Sequence, residues 1–223
     1  SVTFNNLNLA GGTLEHSGGT AVTNGMTLTA AQIASLVYTP AADANGAPLA
    51  TFDFTVNDAD AGVTAAQMDI DVTPVNDAPT TSNVSASGNE DDASIAITLT
   101  GGDIDGTVDN YVLNGLPANG TLYLDAGLTT AVATATDYAA TAEALTLYFV
   151  PNANWNGNTS FQFAARDDNG LLDASPGTAT ITVNAVNDVP VATANTVSTN
   201  EDTAYSFGVG DFTYTDVEGD ALV

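Results

Sequence analysis

The chain has 223 residues, with 27 Asp and Glu against one Arg, one His and no Lys, for a formal charge of −26. Such a surface cannot neutralise nucleic-acid phosphates or settle on an anionic membrane, and no run approaches the roughly 18 apolar residues of a membrane span. The absence of Cys removes disulfides and thiolate chemistry, while an apolar fraction of 44% excludes a chain too polar to build a core. Hard divalent cations are the economical partner for so many carboxylates, because they take carboxylate and carbonyl oxygens. A cysteine-free, acidic, foldable chain suits a bacterial surface protein that uses metal in place of disulfides. Ser1–Phe4 does not read as a signal peptide, so an export signal is expected outside this stretch.

In chain order, the pattern is period two nearly throughout, which predicts strands. Thr29–Leu36 is the best helix candidate, one or two turns long, with Thr136–Ala144 as its expected counterpart further on. Phe52, Phe54 and Val56 alternate with Asp53 and Thr55, and Met68, Ile70 and Val72 alternate with Asp69 and Asp71. Ile95, Ile97 and Leu99 follow the same rule, as do Leu145, Leu147 and Phe149, then Phe161 and Phe163, then Ala179, Ile181 and Val183. Clusters of Gly, Asn, Asp and Pro separate these runs. Between about 80 and 190 the strands are expected near 81–88, 93–100, 109–114, 120–124, 145–150, 160–166 and 177–184. Seven strands in about 110 residues is the size of an immunoglobulin-like sandwich, so the fold class is all-β.

The segment Val75-Asn76-Asp77-Ala78-Pro79 returns as Val186-Asn187-Asp188-Val189-Pro190, and Asn89-Glu90-Asp91 returns as Asn200-Glu201-Asp202, both 111 residues later. Two motifs at one offset mark a tandem repeat. Residues 80–190 form the complete repeat. Residues 1–79 correspond to its later part: Gly12-Thr13-Leu14 matches Gly120-Thr121-Leu122, and Tyr38-Thr39-Pro40 matches Phe149-Val150-Pro151. Residues 191–223 correspond to its early part. The two partial repeats together make up 112 residues, about one period. Two explanations fit: a stretch cut from a longer array, or ends that complement each other head-to-tail between like chains by strand addition.

V-N-D-A-P followed by N-E-D, then D-x-D-G, then an F-x-F strand ending in D-D-N-G, resembles the cadherin-like tandem repeats of large bacterial surface adhesins of the RTX and biofilm type. The resemblance extends over the whole chain. It implies tandem seven-stranded sandwiches, extracellular, with calcium at each joint between repeats. It further implies which residues serve. One joint would gather Asn76, Asp77, Asp103, Asp105 and Asp167, with Asn169 in reserve. The other would gather Glu90, Asn187, Asp188, Asp216 and Glu218, with Asp91 and Asp220 in reserve. Backbone carbonyls and water would complete six to eight oxygens. Asp58 and Asp60 would face the open end of the first partial repeat. Read as single motifs, Asn-Asp-x-Pro and Asp-x-Asp-Gly are also good solvated turns.

The function implied is a mechanical spacer for adhesion or biofilm formation, whose partners are calcium and neighbouring repeats. Repeats that bind a glycan or protein ligand themselves, or a head-to-tail fibre subunit, are the alternatives. An enzyme is not expected: His16, in a polar Gly-rich turn, reads as a surface residue, and no triad can be built around a lone His without Lys. Trp155 is expected to pack over one end of the sandwich. Arg166 is expected to pair with the adjacent Asp167 or Asp168, at small value. Asp125, Asp137 and Asp173 read as solubilising surface.

Overall fold

The computed structural model describes residues 1–58 and 63–221. The chain is almost entirely β-structure and divides into two compact units, Ser1–Asp77 and Ala78–Val223.

The first unit contains β1 (Val2–Asn8), β2 (Thr13–His16), β3 (Thr20–Ala21), β4 (Thr27–Leu28), helix α1 (Ala30–Ile33), β5 (Val37–Thr39), β6 (Gly46–Asn57) and β7 (Val63–Val72). They form two sheets, ordered β4-β1-β6-β7 and β3-β2-β5. The helix is one turn, set by a reciprocal cap: Gln32 N–H donates to Thr29 Oγ1 at 3.4 Å, and Thr29 N–H donates to Gln32 Oε1 at 2.9 Å. Phe4, Leu14, Val22, Leu28 and Phe52 are its buried core.

The second unit contains β8 (Thr80–Thr81), β9 (Val84–Asn89), β10 (Ile95–Gly102), β11 (Val108–Leu113), β12 (Gly120–Tyr123), β13 (Asp137–Ala139), β14 (Ala144–Pro151), β15 (Gly157–Asp167) and β16 (Gly177–Asn184). One sheet runs β12-β14-β10-β8 and the other β13-β11-β15-β16-β9. Along β10 and β14 buried and less buried residues alternate, so Ile95, Ile97 and Leu99 face Leu145, Leu147 and Phe149 within one core. The other sheet closes that core with Tyr111, Leu113, Phe161, Phe163, Ala179 and Ile181.

The expected first strand is in fact two. The chain leaves one sheet after β8 and joins the other as β9, which lies parallel on β16. Polar side chains fix this crossing: Thr81 Oγ1 accepts from Ala165 N–H at 2.9 Å, and Asn83 Oδ1 accepts from Thr178 N–H at 2.7 Å. The helix expected over Thr136–Ala144 is not formed; that stretch holds β13 instead, paired with β11. Tyr138 explains the change, since its hydroxyl accepts from Ala133 N–H at 2.7 Å and ties an extended chain to the preceding loop.

Both units share one close approach. A side chain at Gly120 would run into the Phe149 ring, and one at Gly12 would meet the Thr39 carbonyl and the Tyr38 hydroxyl. Gly opens β12 in one case and precedes β2 in the other because only hydrogen fits under the facing strand.

Beyond β16, residues 191–221 form β17 (Val191–Ala192), a single 3₁₀ turn (Val209–Asp211) and β18 (Tyr214–Thr215) among the described residues. β17 pairs with β18 as β8 pairs with the end of β10.

Candidate functional site

The last turns of the second sandwich carry Glu90 against the linker and Asp188 against Glu218, two contacts among the residues expected at the second joint. Glu90 follows β9, and its backbone N–H donates to Asn184 O at 3.0 Å, at the end of β16. Its side chain is only 5% exposed. One carboxylate oxygen accepts from Val186 N–H at 2.8 Å, and the other lies 3.4 Å from Asn156 Nδ2. Glu90 therefore clamps the start of the Val186–Pro190 linker. Two residues on, Asp188 N–H donates to Glu218 Oε2 at 3.2 Å. Asn187 Nδ2 donates to the Asp188 carbonyl at 3.0 Å, and Asp216 Oδ1 accepts from Asp220 N–H at 2.9 Å, closing the D-x-E loop.

Asp188 carries the strongest signal. Its Oδ2 is buried and has no hydrogen-bond partner. Burial raises its carboxyl above the usual carboxylate range, and the negative charges of Asp91, Glu218, Glu90 and Asp216 raise it further. A buried carboxylate oxygen among four other carboxylates is a costly arrangement unless a cation compensates it. The donor set is all oxygen, which fits calcium. Among the described residues, no group of three or more His, Cys, Asp or Glu side chains is placed so that it could hold a metal ion. Glu218 and Asp216 lie on one loop and Glu90 and Asp91 on another.

At the opposite end of the same sandwich, Asp103 and Asp105 follow β10, Asp167 ends β15, and Asp168 and Asn169 follow it. Asp103 Oδ1 accepts from Asp105 N–H at 3.2 Å, while Asp103 Oδ2 is a second buried oxygen without a hydrogen-bond partner. Asp167 is 2% exposed, and its Oδ1 accepts from Asn169 N–H at 3.1 Å and Leu171 N–H at 2.6 Å, shaping the turn. The ligand set expected here omits Asp168. A side chain at Gly106 would stand 2.7 Å from Asp168 Oδ1 and 3.1 Å from Asp103 Oδ2, so both carboxylates converge on the space that glycine leaves. The Asp-Asp-Asn run was the available signal. Asn76 and Asp77 belong to the first unit, where Asn76 Nδ2 donates to Asp77 O at 3.0 Å, the same turn as Asn187 makes. Asp58 follows β6; Asp60 lies outside the described residues.

Several other expectations are corrected. His16 is buried, at 6% exposure, with Nδ1 unpartnered, because β2 turns it inward behind Leu14. Arg166 pairs with Asp137 at 2.9 Å and donates to Gly170 O at 2.9 Å; the strand directs it away from its chain neighbours towards β13. Asp137 is thus an ion-pair partner. Asp173 is buried, accepting from Thr81 N–H and Ser175 N–H at 2.7 Å each. Asp125 organises its own loop through Thr129 and Thr130; burial pushes its carboxyl up, but those hydrogen bonds outweigh it and hold it below the ordinary value. Trp155 packs against the core, and neighbouring Asn156 reaches Glu90.

Residues 1–71 match the family model described as the bacterial Ig domain. No curated protein matches the chain. Among solved structures, protocadherin gammaB7 (EC3-6 cis-dimer) superposes with a TM-score of 0.50 at 11% identity, covering 97% of this chain and 50% of that one. Protocadherin gamma B2 extracellular cadherin domains 3-6 give 0.47 at 9% identity, covering 97% and 51%. A conjugate transposon protein from Bacteroides vulgatus gives 0.32 at 17% identity, covering 51% and 90%. The chain spans about half the length of the two protocadherin fragments. The fold is thus an all-β, Ig-like and cadherin-like sandwich. No described helix is long and apolar enough to cross a membrane.

Proposed function

We propose that this chain is an extender stretch of a secreted or surface-anchored bacterial adhesin, in which calcium stiffens the junction after each sandwich. Ig-like and cadherin-like folds are typically non-enzymatic, and bacterial Ig domains are typically extracellular. The observation that carries the reading is the unpartnered Asp188 Oδ2 amid Glu90, Asp91, Asp216 and Glu218. Glu90, Asp188, Asp216 and Glu218 would hold the ion, with the Asn187 carbonyl and water in support. The ion supplies positive charge that turns mutual repulsion into attraction. Glu90 and Asp188 anchor the linker, and Glu218 and Asp216 belong to the segment after it, so binding would tie one repeat to the next. Asp103 and Asp168, with Asp105, Asp167 and Asn169, would serve a second ion at the other end of the same sandwich. Spacing a distal binding domain from the cell, in adhesion or biofilm, follows as the mechanical role.

Melting temperature and small-angle scattering with calcium, with magnesium and with chelator test this. Calcium should raise the melting temperature and narrow the distribution of end-to-end lengths. At a hundredfold excess over Kd the gain is about 2.7 kcal/mol. Glu90→Gln with Asp188→Asn should abolish most of the response. An unchanged melting temperature and scattering profile would sink the metal reading.

A further inference from the structure

We infer that Asn114-Gly115, in the loop after β11, is a self-modifying site: its asparagine loses ammonia through a cyclic imide and becomes Asp or isoAsp while the second unit stays folded. This rests on loop geometry and is independent of the metal proposal. The chain has six Asn-Gly pairs, at 24–25, 45–46, 114–115, 119–120, 156–157 and 169–170. The reaction needs the glycine nitrogen, stripped of its proton by hydroxide, to reach the asparagine Cγ. Glycine suits it because no Cβ shields that nitrogen and its backbone turns freely. A folded chain can stop the reaction in two ways. It can hold the glycine N–H in a hydrogen bond, or it can fix the backbone in a paired strand.

Five of the six pairs are held in one of these ways. Gly25 N–H donates to Phe4 O at 2.7 Å, and Gly170 N–H donates to Asp167 O at 3.2 Å. Gly46, Gly120 and Gly157 open β6, β12 and β15 and are paired with Val72, Pro151 and Val183. Gly120 also lies under the Phe149 ring, and Gly157 lies beside Trp155. Gly115 differs on each count. It belongs to no strand, and among the described residues nothing accepts from its N–H. A side chain added there would meet nothing within 4 Å, so the imide ring has room to form. Asn114 beside it is exposed. The flanks are pinned: Leu113 O accepts from Ala135 N–H at 3.0 Å, Asn114 N–H donates to Gln162 O at 2.8 Å, and Pro117 is buried. The free span is Gly115 and Leu116, and the sandwich need not open for the attack.

The step balances without any co-reactant but water. Gly115 N bonds to Asn114 Cγ, the Cγ–Nδ2 bond breaks, and Nδ2 leaves as ammonia with a proton from water. Water then opens the imide. Attack at Cγ breaks its bond to Gly115 N and gives Asp. Attack at the Asn114 backbone carbonyl carbon gives isoAsp, with the chain running through the side chain. One water enters, one ammonia leaves, and nothing is oxidised or reduced. The product carries one more negative charge, and the isoAsp form lengthens the connection between β11 and β12 by one backbone carbon.

The whole chain, kept in warm, mildly alkaline buffer with and without urea, supplies the test. Without urea, mass spectrometry of peptides cut at Glu and Asp should find conversion at 114–115 first, with a matching, more acidic species on anion exchange. The other five pairs should react more slowly, by about tenfold for each ~1.36 kcal/mol of local opening. In urea all six should convert at comparable rates. Hydroxylamine, which splits the imide, should cut the folded chain at 114–115. Gly115→Ala, which the open space admits, and Asn114→Gln should each remove the acidic species while Trp155 emission stays that of the folded second unit. Conversion at another pair first, an Asn114 that stays intact in the folded chain while urea exposes it to reaction, or an acidic species that survives Asn114→Gln would each overturn the inference.

Discussion

The two units share a strand plan but cover their cores differently, and the burial of matching side chains differs accordingly. Phe163 is wholly buried in the second unit, while Phe54 at the equivalent place in the first is not. The pattern of alternation is equally clear in both. What differs is the covering: β9 and β10 bring Ile95, Ile97 and Leu99 over the second core and hide β14 and β16 on their far sides. Alternation therefore fixes which side chains point inward, and strand count decides how deeply they are buried.

The largest test of this contrast is truncation of the paired phenylalanines. Phe163→Ala should cost about 3–5 kcal/mol. Phe54→Ala should cost roughly 1–2 kcal/mol, because less of its surface leaves water on folding. Trp155, the sole Trp, sits in the second unit and reports its urea transition directly, so Phe54→Ala should leave that signal unmoved. Equal losses from both would dissolve the comparison.

Next comes the latch that holds β8. Asp173→Ala strips the partners from Thr81 N–H and Ser175 N–H and should destabilise the second unit by about 1–3 kcal/mol. Hydrogen exchange should quicken at Thr81 before it does in β15; uniform quickening would deny the latch.

Alkali provides a third test. Burial, with the Glu143 charge in second place, pushes the Tyr111 hydroxyl up to about 12, and that hydroxyl donates to the Glu143 carbonyl at 2.7 Å. The unfolded chain ionises near 10, so it sheds this proton first. Stability contributed by Tyr111 is complete below pH 10 and is lost as pH rises towards 12. The urea midpoint read from Trp155 should hold steady up to that window and then fall. A Tyr111→Phe variant should decline less steeply.

The smallest effect is expected at His16, whose counterpart in the second unit is Leu124. His16→Leu removes an unpartnered buried nitrogen and should stabilise the first unit by roughly 1 kcal/mol, seen calorimetrically. Destabilisation would mean that the imidazole has a role in packing that leucine cannot fill.

The strands from Ile95 to Val183 were legible in the sequence because each buries one face, and period two survives in the residues themselves. The helical turn after Thr29 was expected too, while the reciprocal Thr29–Gln32 cap that sets it appeared only in the folded chain. The buried role of Asp173 was not, because its partner Thr81 is 92 residues away. The Arg166 pairing was misread because chain neighbours on a strand point to opposite faces. In the acidic clusters the repeat period marked Glu90 and Asp188, but only the folded loops reveal that Asp168 joins Asp103, or that one oxygen each of Asp103 and Asp188 is left unmatched.

Arg166 has a consequence of another kind. It is the sole basic side chain trypsin can recognise, and it lies in β15, flanked on both sides by β11 and β16. Proteolytic cutting requires a locally opened, extended segment. The Asp137 pair and the Gly170 carbonyl hold this one in place. A digestion time course at high protease, where cleavage outpaces reclosing, would then be a clock for the second unit alone: two fragments appear at the rate at which its central strand opens, and anything that slows that opening can be timed without a label.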